Sequence, residues 1–186
     1  MANSMYTWVQ IENLNSGSKE ELLTLLSPES GSYQLDATQF SERYFEGNEP
    51  SESYDKYSFR IDEYGAKWWY INDCYDNGDA IEFNIESAWS VPQSLLEKLR
   101  NWLVAKNENV IVRGTYEDES YNPTGAFIYA KDYDDIEDTD LDAESIDWDK
   151  MWEDDEYRDG LDQKRFDLAD SLFESYQETL KENKDG

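Results

Sequence analysis

The chain has 186 residues, of which 44 are acidic, 16 are basic and none is histidine, so its formal net charge is −28. A surface this negative repels nucleic acid and anionic membranes and attracts strongly basic proteins. The lack of histidine excludes His-based catalytic triads and His-ligated zinc sites within this sequence.

The aromatic content predicts a packed core. Disordered acidic chains are poor in aromatic residues, whereas this chain has 7 Trp, 14 Tyr and 7 Phe, and each such side chain buries a large apolar area. No apolar run approaches the ~20 residues that a membrane-spanning helix needs, and Met1 to Met5 lack the features of a signal peptide. Together with the lone Cys74, these features predict a cytoplasmic protein without an internal disulfide.

The chain opens with a predicted strand and helix. Apolar residues alternate between Tyr6 and Leu14, which predicts a strand. Ser18 and Glu21 have the spacing of a capping box, so a helix is expected from Lys19 to Leu26.

A polar connection follows over residues 29–55, with a short helical turn from Thr38 to Phe45. Tyr57 to Ile61 is interpreted as a short strand.

The middle of the chain predicts a hairpin and a second helix. Strands are expected at Trp68 to Cys74 and Ala80 to Ser87, because Asp76-Asn-Gly78 between them is a hairpin signal. Pro92 then begins a helix whose leucines recur at helical spacing.

Two more strands, Val110 to Tyr116 and Ala126 to Lys131, complete an α+β plan. This order favours an antiparallel sheet with helices on one face, and a ferredoxin-like βαββαβ arrangement fits it best. Residues 1–131 are therefore predicted to form a ferredoxin-like domain. Residues 132–186 are predicted to be an acidic extension that ends in an amphipathic helix from Leu161 to Asn183, packed either on the domain or on a second copy of the chain.

Two motifs resemble the YubB ferredoxin-like domain family of plasmid and phage proteins. They are Tyr64-Gly65-Ala66-Lys67-Trp68 and Ala88-Trp89-Ser90-Val91-Pro92. The resemblance covers residues 5–131 and departs from the family pattern at Tyr64, Ala66 and Val91. It implies a ferredoxin-like fold and a mobile-element origin, but no catalytic residues. From the residues themselves, Trp89 is interpreted as a core anchor or hydrophobic staple and Gly65 as a tight turn.

The acidic charge concentrates in residues 132–160, the acidic segment. This segment has 15 Asp and Glu against Lys150 and Arg158, a net of −13. Asp138, Asp140 and Asp142 match the first ligands of a calcium loop, but Ala143 replaces the required Gly. The pattern is therefore interpreted as a solvated acidic stretch, with no metal or cofactor. No catalytic motif occurs either, so the chain is interpreted as a non-enzyme.

The acidic segment is the candidate binding site. Its carboxylates repeat at distances comparable to those between DNA phosphates, and Trp148, Met151 and Trp152 are expected to anchor it. The predicted partner-binding residues are Asp132, Asp134, Asp135, Glu137, Asp138, Asp140, Asp142, Glu144, Asp147, Asp149, Glu153, Asp154, Asp155 and Glu156.

These observations predict a DNA-mimic inhibitor that acts in the host cytoplasm. It would block a basic nucleic-acid-binding protein, such as a CRISPR effector or a restriction enzyme, without binding nucleic acid or membrane itself. The alternative is a scaffold that binds a basic protein without competing with nucleic acid. Halophilic adaptation or simple solubility would also account for an acidic surface, and a homodimer stays open.

Overall fold

The computed structural model describes residues 3–28, 34–44 and 53–185, which form an α+β fold. The strands are β1 (Ser4–Glu12), β2 (Leu35–Asp36), β3 (Trp69–Asp76), β4 (Ala80–Ala88), β5 (Ile111–Asp118), β6 (Thr124–Ala130) and β7 (Tyr133–Asp138). The helices are α1 (Ser16–Leu26), α2 (Ala37–Tyr44), α3 (Ser53–Tyr64), α4 (Gln93–Val104), α5 (Trp148–Glu153) and α6 (Asp155–Asp185). None of the helices in these ranges is long and apolar enough to cross a membrane.

The strands form one antiparallel sheet in the order β2-β3-β4-β1-β5-β6-β7. β1 lies at the centre, where Val9 stands opposite Phe83 of β4 and Gly114 of β5. The predicted α+β class with an antiparallel sheet is confirmed. β7 pairs with β6 in this same sheet, so the sheet continues past residue 131 into the acidic segment.

One face of the sheet carries the main core. Alternating residues of β1 point into it, because successive side chains of a strand lie on opposite faces. Helices α1 and α4 cover this face with leucines that recur every three or four residues. The fully buried members include Met5, Ile11, Leu22, Leu26, Phe83, Leu95, Leu99 and Leu103.

Helix α6 packs on the opposite face, over β5, β6 and β7. Leu172 and Tyr176 of α6 are buried against Ile128 and neighbouring small residues of β6. The ring of Tyr176 also contacts that of Tyr133, with 5.1 Å between their centroids. Helix α6 covers only part of this face, so a groove remains on it between α6 and β4.

The strand expected at Tyr57 to Ile61 is wrong, since these residues belong to α3. Tyr57 and Ile61 are both exposed, while Arg60 and Tyr64 are both buried. Each pair is four residues apart, which is the spacing of a helix face. A window of five residues is too short to separate this period from that of a strand.

Two helix starts also differ from the expected ones. Asn15, not Ser18, caps α1, and its side chain accepts a hydrogen bond from the Ser18 amide at 2.8 Å. Asn is as good an N-cap as Ser, so the helix begins three residues earlier than Lys19. Helix α6 begins at Asp155 rather than Leu161, because Asp154 accepts a hydrogen bond from the Tyr157 amide at 3.1 Å.

The helical turn predicted from Thr38 to Phe45 corresponds to α2, as far as Tyr44. Phe45 and much of the polar connection at 29–55 lie outside the described residues.

Candidate protein-binding surface

The acidic segment forms four consecutive pieces of structure. It contains β7 at the edge of the sheet, a 3-10 turn at Ala143–Ser145, helix α5 and the first turns of α6. Of the fourteen predicted partner-binding side chains, Asp135 is half-buried and the others are exposed. The segment therefore presents its carboxylates to solvent from these elements and from the turns that join them.

Six of the fourteen side chains hold the segment in place. Asp142 and Asp147 cap the 3-10 turn and α5, and Asp154 caps α6. Asp140 pairs with Lys164 at 3.0 Å, and Asp155 pairs with Arg158. The sixth, Asp138, accepts a hydrogen bond from Tyr116.

The bond between Tyr116 and Asp138 joins the sheet core to its acidic edge. The phenol oxygen lies 2.6 Å from the carboxylate. Burial, and to a lesser extent this bond and the charge of Asp138, raise the pKa of Tyr116 well above its usual value. The phenol therefore acts as a permanent donor to Asp138 at neutral pH.

The other eight of the fourteen make no side-chain hydrogen bond or ion pair with the part of the chain that the structure describes. Their charges are available for an external partner. They are Asp132, Asp134, Asp135, Glu137, Glu144, Asp149, Glu153 and Glu156.

The acids of β7 project to both sides of the sheet. Ile136 packs on the main core, so Asp134 and Asp138 lie on that side, while Asp135 and Glu137 lie on the side of α6. Charged residues on an edge strand also prevent pairing with a strand of another molecule. The charge of β7 thus has a structural use of its own.

The predicted apolar anchors of the acidic segment are only partly correct. Met151 is buried with Ile146 and Tyr121 in a small cluster. Trp148 is 39% exposed and Trp152 is 81% exposed, so Trp152 does not anchor the segment. Consecutive residues of a helix lie about 100° apart, so Met151 faces Ile146 and Tyr121 while Trp152 points to solvent. Trp148 precedes Met151 by three residues and keeps an edge contact with Tyr121.

Sequence reasoning missed a second row of acids on α6. Asp167, Asp170, Glu174 and Glu178 are exposed and recur every three or four residues, opposite the buried stripe of the helix. At about 1.5 Å rise per residue, neighbouring carboxylates of this row lie about 4.5–6 Å apart along the helix axis. The helical spacing of these acids between the apolar positions was the signal that could have predicted them.

The groove beside α6 is a cavity of about 340 Å³, and a second cavity of about 510 Å³ adjoins it at Trp8 and Asn84. The Arg165 guanidinium of α6 lies 4.4 Å from the centre of the Trp8 ring. It also pairs with Glu117 and, at 3.4 Å, with Asp162. Burial lowers the pKa of Arg165 to about 10, and the group stays charged at neutral pH.

The described residues contain no group of three or more Cys, Asp or Glu side chains placed to hold a metal ion. Asp138, Asp140 and Asp142 instead take part in the local bonds given above.

The two motifs that resemble the YubB family contact each other. The Ser90 hydroxyl donates to the Gly65 carbonyl at 2.7 Å, and the Ala88 amide donates to the Trp68 carbonyl at 3.1 Å. Gly65 has a φ of 83°, as a tight turn requires. Trp89 is 55% exposed, so its interpretation as a core anchor is wrong. Its backbone is left-handed, with a φ of 61°.

No family model, no curated protein and no solved structure matches this chain. The resemblance to the YubB family stays a prediction.

Proposed function

We propose that this protein is an acidic inhibitor that occupies the nucleic-acid-binding site of a basic protein, in the manner of a DNA mimic. The observation that carries the proposal is the set of eight exposed or half-buried carboxylates without a partner in the described chain, held on β7, α5, the start of α6 and the connections between them. A chain with a net charge of −28 attracts a basic channel over a long range.

The spacing of the charges supports mimicry. A strand rises about 3.3 Å per residue, and one strand of duplex DNA carries a phosphate every ~3.4 Å. Successive residues of a strand point to opposite faces, so Asp135 and Glu137 are neighbours on the same side of β7 at about 6.6 Å. This distance is about two phosphate intervals, which is still comparable to a phosphate track.

Preorganisation supports it as well. The caps at Asp142, Asp147 and Asp154, together with the buried Met151, fix the backbone of the acidic segment. A surface ordered before binding avoids the entropy cost of ordering in the complex.

The proposal includes a ferredoxin-like fold for the core and a mobile genetic element as the origin of the protein. β1, α1, β3, β4, α4 and β5 follow a βαββαβ sequence, and their strands lie in the antiparallel order β3-β4-β1-β5. This order supports a ferredoxin-like core. With the motifs that resemble plasmid and phage proteins, it favours a mobile-element product. Its targets would be host defence proteins in the cytoplasm, either a CRISPR effector or a restriction enzyme, inhibited by stoichiometric competition.

The test is competition with DNA. The immobilised protein is loaded with bacterial lysate at low salt, and the bound proteins are then challenged with a short duplex DNA. Mimicry predicts that DNA releases the bound protein and that the free inhibitor displaces labelled DNA from it in a stoichiometric manner. A ternary complex of this protein, its partner and DNA would contradict mimicry and support a scaffold.

A pair of charge variants separates the acidic segment from overall charge. The first, the segment variant, removes five free carboxylates outside β7 through Asp132→Asn, Glu144→Gln, Asp149→Asn, Glu153→Gln and Glu156→Gln. The second, the matched control, removes five exposed carboxylates elsewhere through Glu20→Gln, Glu42→Gln, Asp62→Asn, Asp73→Asn and Asp79→Asn. Exposed pairs contribute up to about 1 kcal/mol each, so the segment variant should bind at least ten-fold more weakly than the control.

A further inference from the structure

Helix α5 carries two exposed tryptophans on one face. Trp148 and Trp152 are four residues apart, so they lie side by side along the helix. This pair is the tryptophan face. Trp148 meets the ring of Tyr121 edge-on, with 6.5 Å between centroids. Trp152 has no ring, cation or hydrogen-bond partner among the described residues, and it is 81% exposed.

Three of the exposed aromatic rings in the described chain already hold a cation. The Lys67 ammonium lies 4.5 Å from the ring centre of Tyr57 and 5.8 Å from that of Trp89. The Arg165 guanidinium lies 5.2 Å from the ring centre of Phe166. Trp152 is the most exposed tryptophan of the described residues, and none of those residues places a cation on its ring.

The carboxylates beside the tryptophan face are also free. Asp149 and Glu153 follow Trp148 and Trp152 by one residue each, so they form a parallel row about 100° further round the helix. Both are exposed and make no hydrogen bond or ion pair with the described chain. The exposed indoles thus lie next to two carboxylates that no cation of the described chain neutralises.

We infer that the tryptophan face binds an arginine side chain of the partner protein. The planar guanidinium stacks on the indole of Trp152, and its edge N–H groups donate to Asp149 or Glu153. Lysine fits less well, because its ammonium is compact and strongly hydrated and cannot stack as a plane. The inference rests on the proposed function, because it assumes a basic partner. It adds that the recognised residue is an arginine and that it binds at the tryptophan face.

The test compares an oligo-arginine and an oligo-lysine peptide of equal length, titrated against the full chain at fixed salt. Removing an exposed cation–π contact is expected to weaken binding about two- to five-fold. Trp152→Leu should therefore lower the affinity for the arginine peptide by that factor and leave the lysine peptide nearly unchanged. Trp152→Phe, which keeps a ring, should retain most of the arginine preference.

Trp89→Leu is the matched control, because Trp89 is an exposed tryptophan that already holds Lys67. It should leave the ratio of the two affinities at the wild-type value. A wild-type ratio in Trp152→Leu, or an equal loss of the ratio in Trp89→Leu, would overturn the inference. The segment variant tests the proposed function through its affinity for both peptides, whereas Trp152→Leu tests the inference through the ratio of the two affinities. Retained affinity of the segment variant for both peptides would contradict the electrostatic role of the segment.

Discussion

Arg165 shows how single residues tie the acidic C-terminal helix to the sheet. Its side chain is buried, and it stacks on Trp8 of β1 while pairing with Glu117 of β5. A buried cation is tolerated because two carboxylates, Glu117 and Asp162, neutralise it. Residues from three elements therefore depend on one guanidinium.

Arg165→Ala should destabilise the fold by about 3–5 kcal/mol, because it leaves the Glu117 carboxylate unpaired in a site of low solvent access. Urea unfolding followed by far-UV circular dichroism measures the loss. The double variant Arg165→Met, Glu117→Gln removes both charges and keeps an apolar contact to Trp8, so it should be clearly more stable than Arg165→Ala. Equal stability of the two variants would mean that the ion pair is not the cause.

At the scale of elements, α6 packs over β5, β6 and β7 on the second face of the sheet. Its buried residues Leu172 and Tyr176 close the small core over β6. Leu172→Ala should therefore cost about 2–4 kcal/mol through lost burial and a residual cavity. Ser171→Ala changes the exposed neighbour on the same helix and should stay within about 0.5 kcal/mol of wild type. Thermal unfolding of both variants checks the prediction, and a small effect at Leu172 would show that α6 is only loosely held.

The edge strand β7 has its own expected behaviour. Replacing Asp134, Asp135 and Glu137 by their amides leaves Asp138, which Tyr116 binds, as the one charge of β7, along an edge with unpaired backbone groups. Such an edge should pair with another molecule, so the variant should form dimers or larger species as its concentration rises. Light scattering after size exclusion measures this. The segment variant, whose changes lie outside β7, should stay monodisperse, and a monodisperse β7 variant would show that these charges do not protect the edge.

At the scale of the whole molecule, the net charge of −28 acts on folding and on binding with opposite signs. Repulsion between like charges destabilises the compact state, whereas the same charges attract a basic partner. Both effects are screened over about 10 Å at 0.1 M salt.

Raising NaCl from low salt to about 0.5 M should therefore stabilise the fold by about 1–2 kcal/mol, or roughly 2–8 °C in Tm, while it weakens binding to the partner. Differential scanning calorimetry and binding titrations in the same buffers measure the two trends. The segment variant should show a smaller salt-dependent rise in Tm, because it has lost five charges. A Tm that does not respond to salt would mean that charge repulsion does not limit stability.

The sequence predicted the elements whose signals are local. Alternation in β1 and β4, the turn at Asp76 to Gly78 and the leucine spacing of α4 depend on neighbours within a few residues, and the structure has these elements close to their expected bounds. The sequence also showed the concentration of acids at 132–160, because the number of charges in a segment does not depend on how it packs.

Only the tertiary structure decided which residues face solvent and which carboxylates are free. Met151 and Trp152 are adjacent and both apolar, yet one is buried and the other is 81% exposed. Asp138 is a partner of Tyr116 while Asp134 is free, although both lie on the same side of β7. These outcomes depend on contacts with Ile146, Tyr121 and Tyr116, which a local pattern cannot bring together. Burial and charge pairing are properties of the folded arrangement, whereas periodicity and charge density are properties of the chain itself.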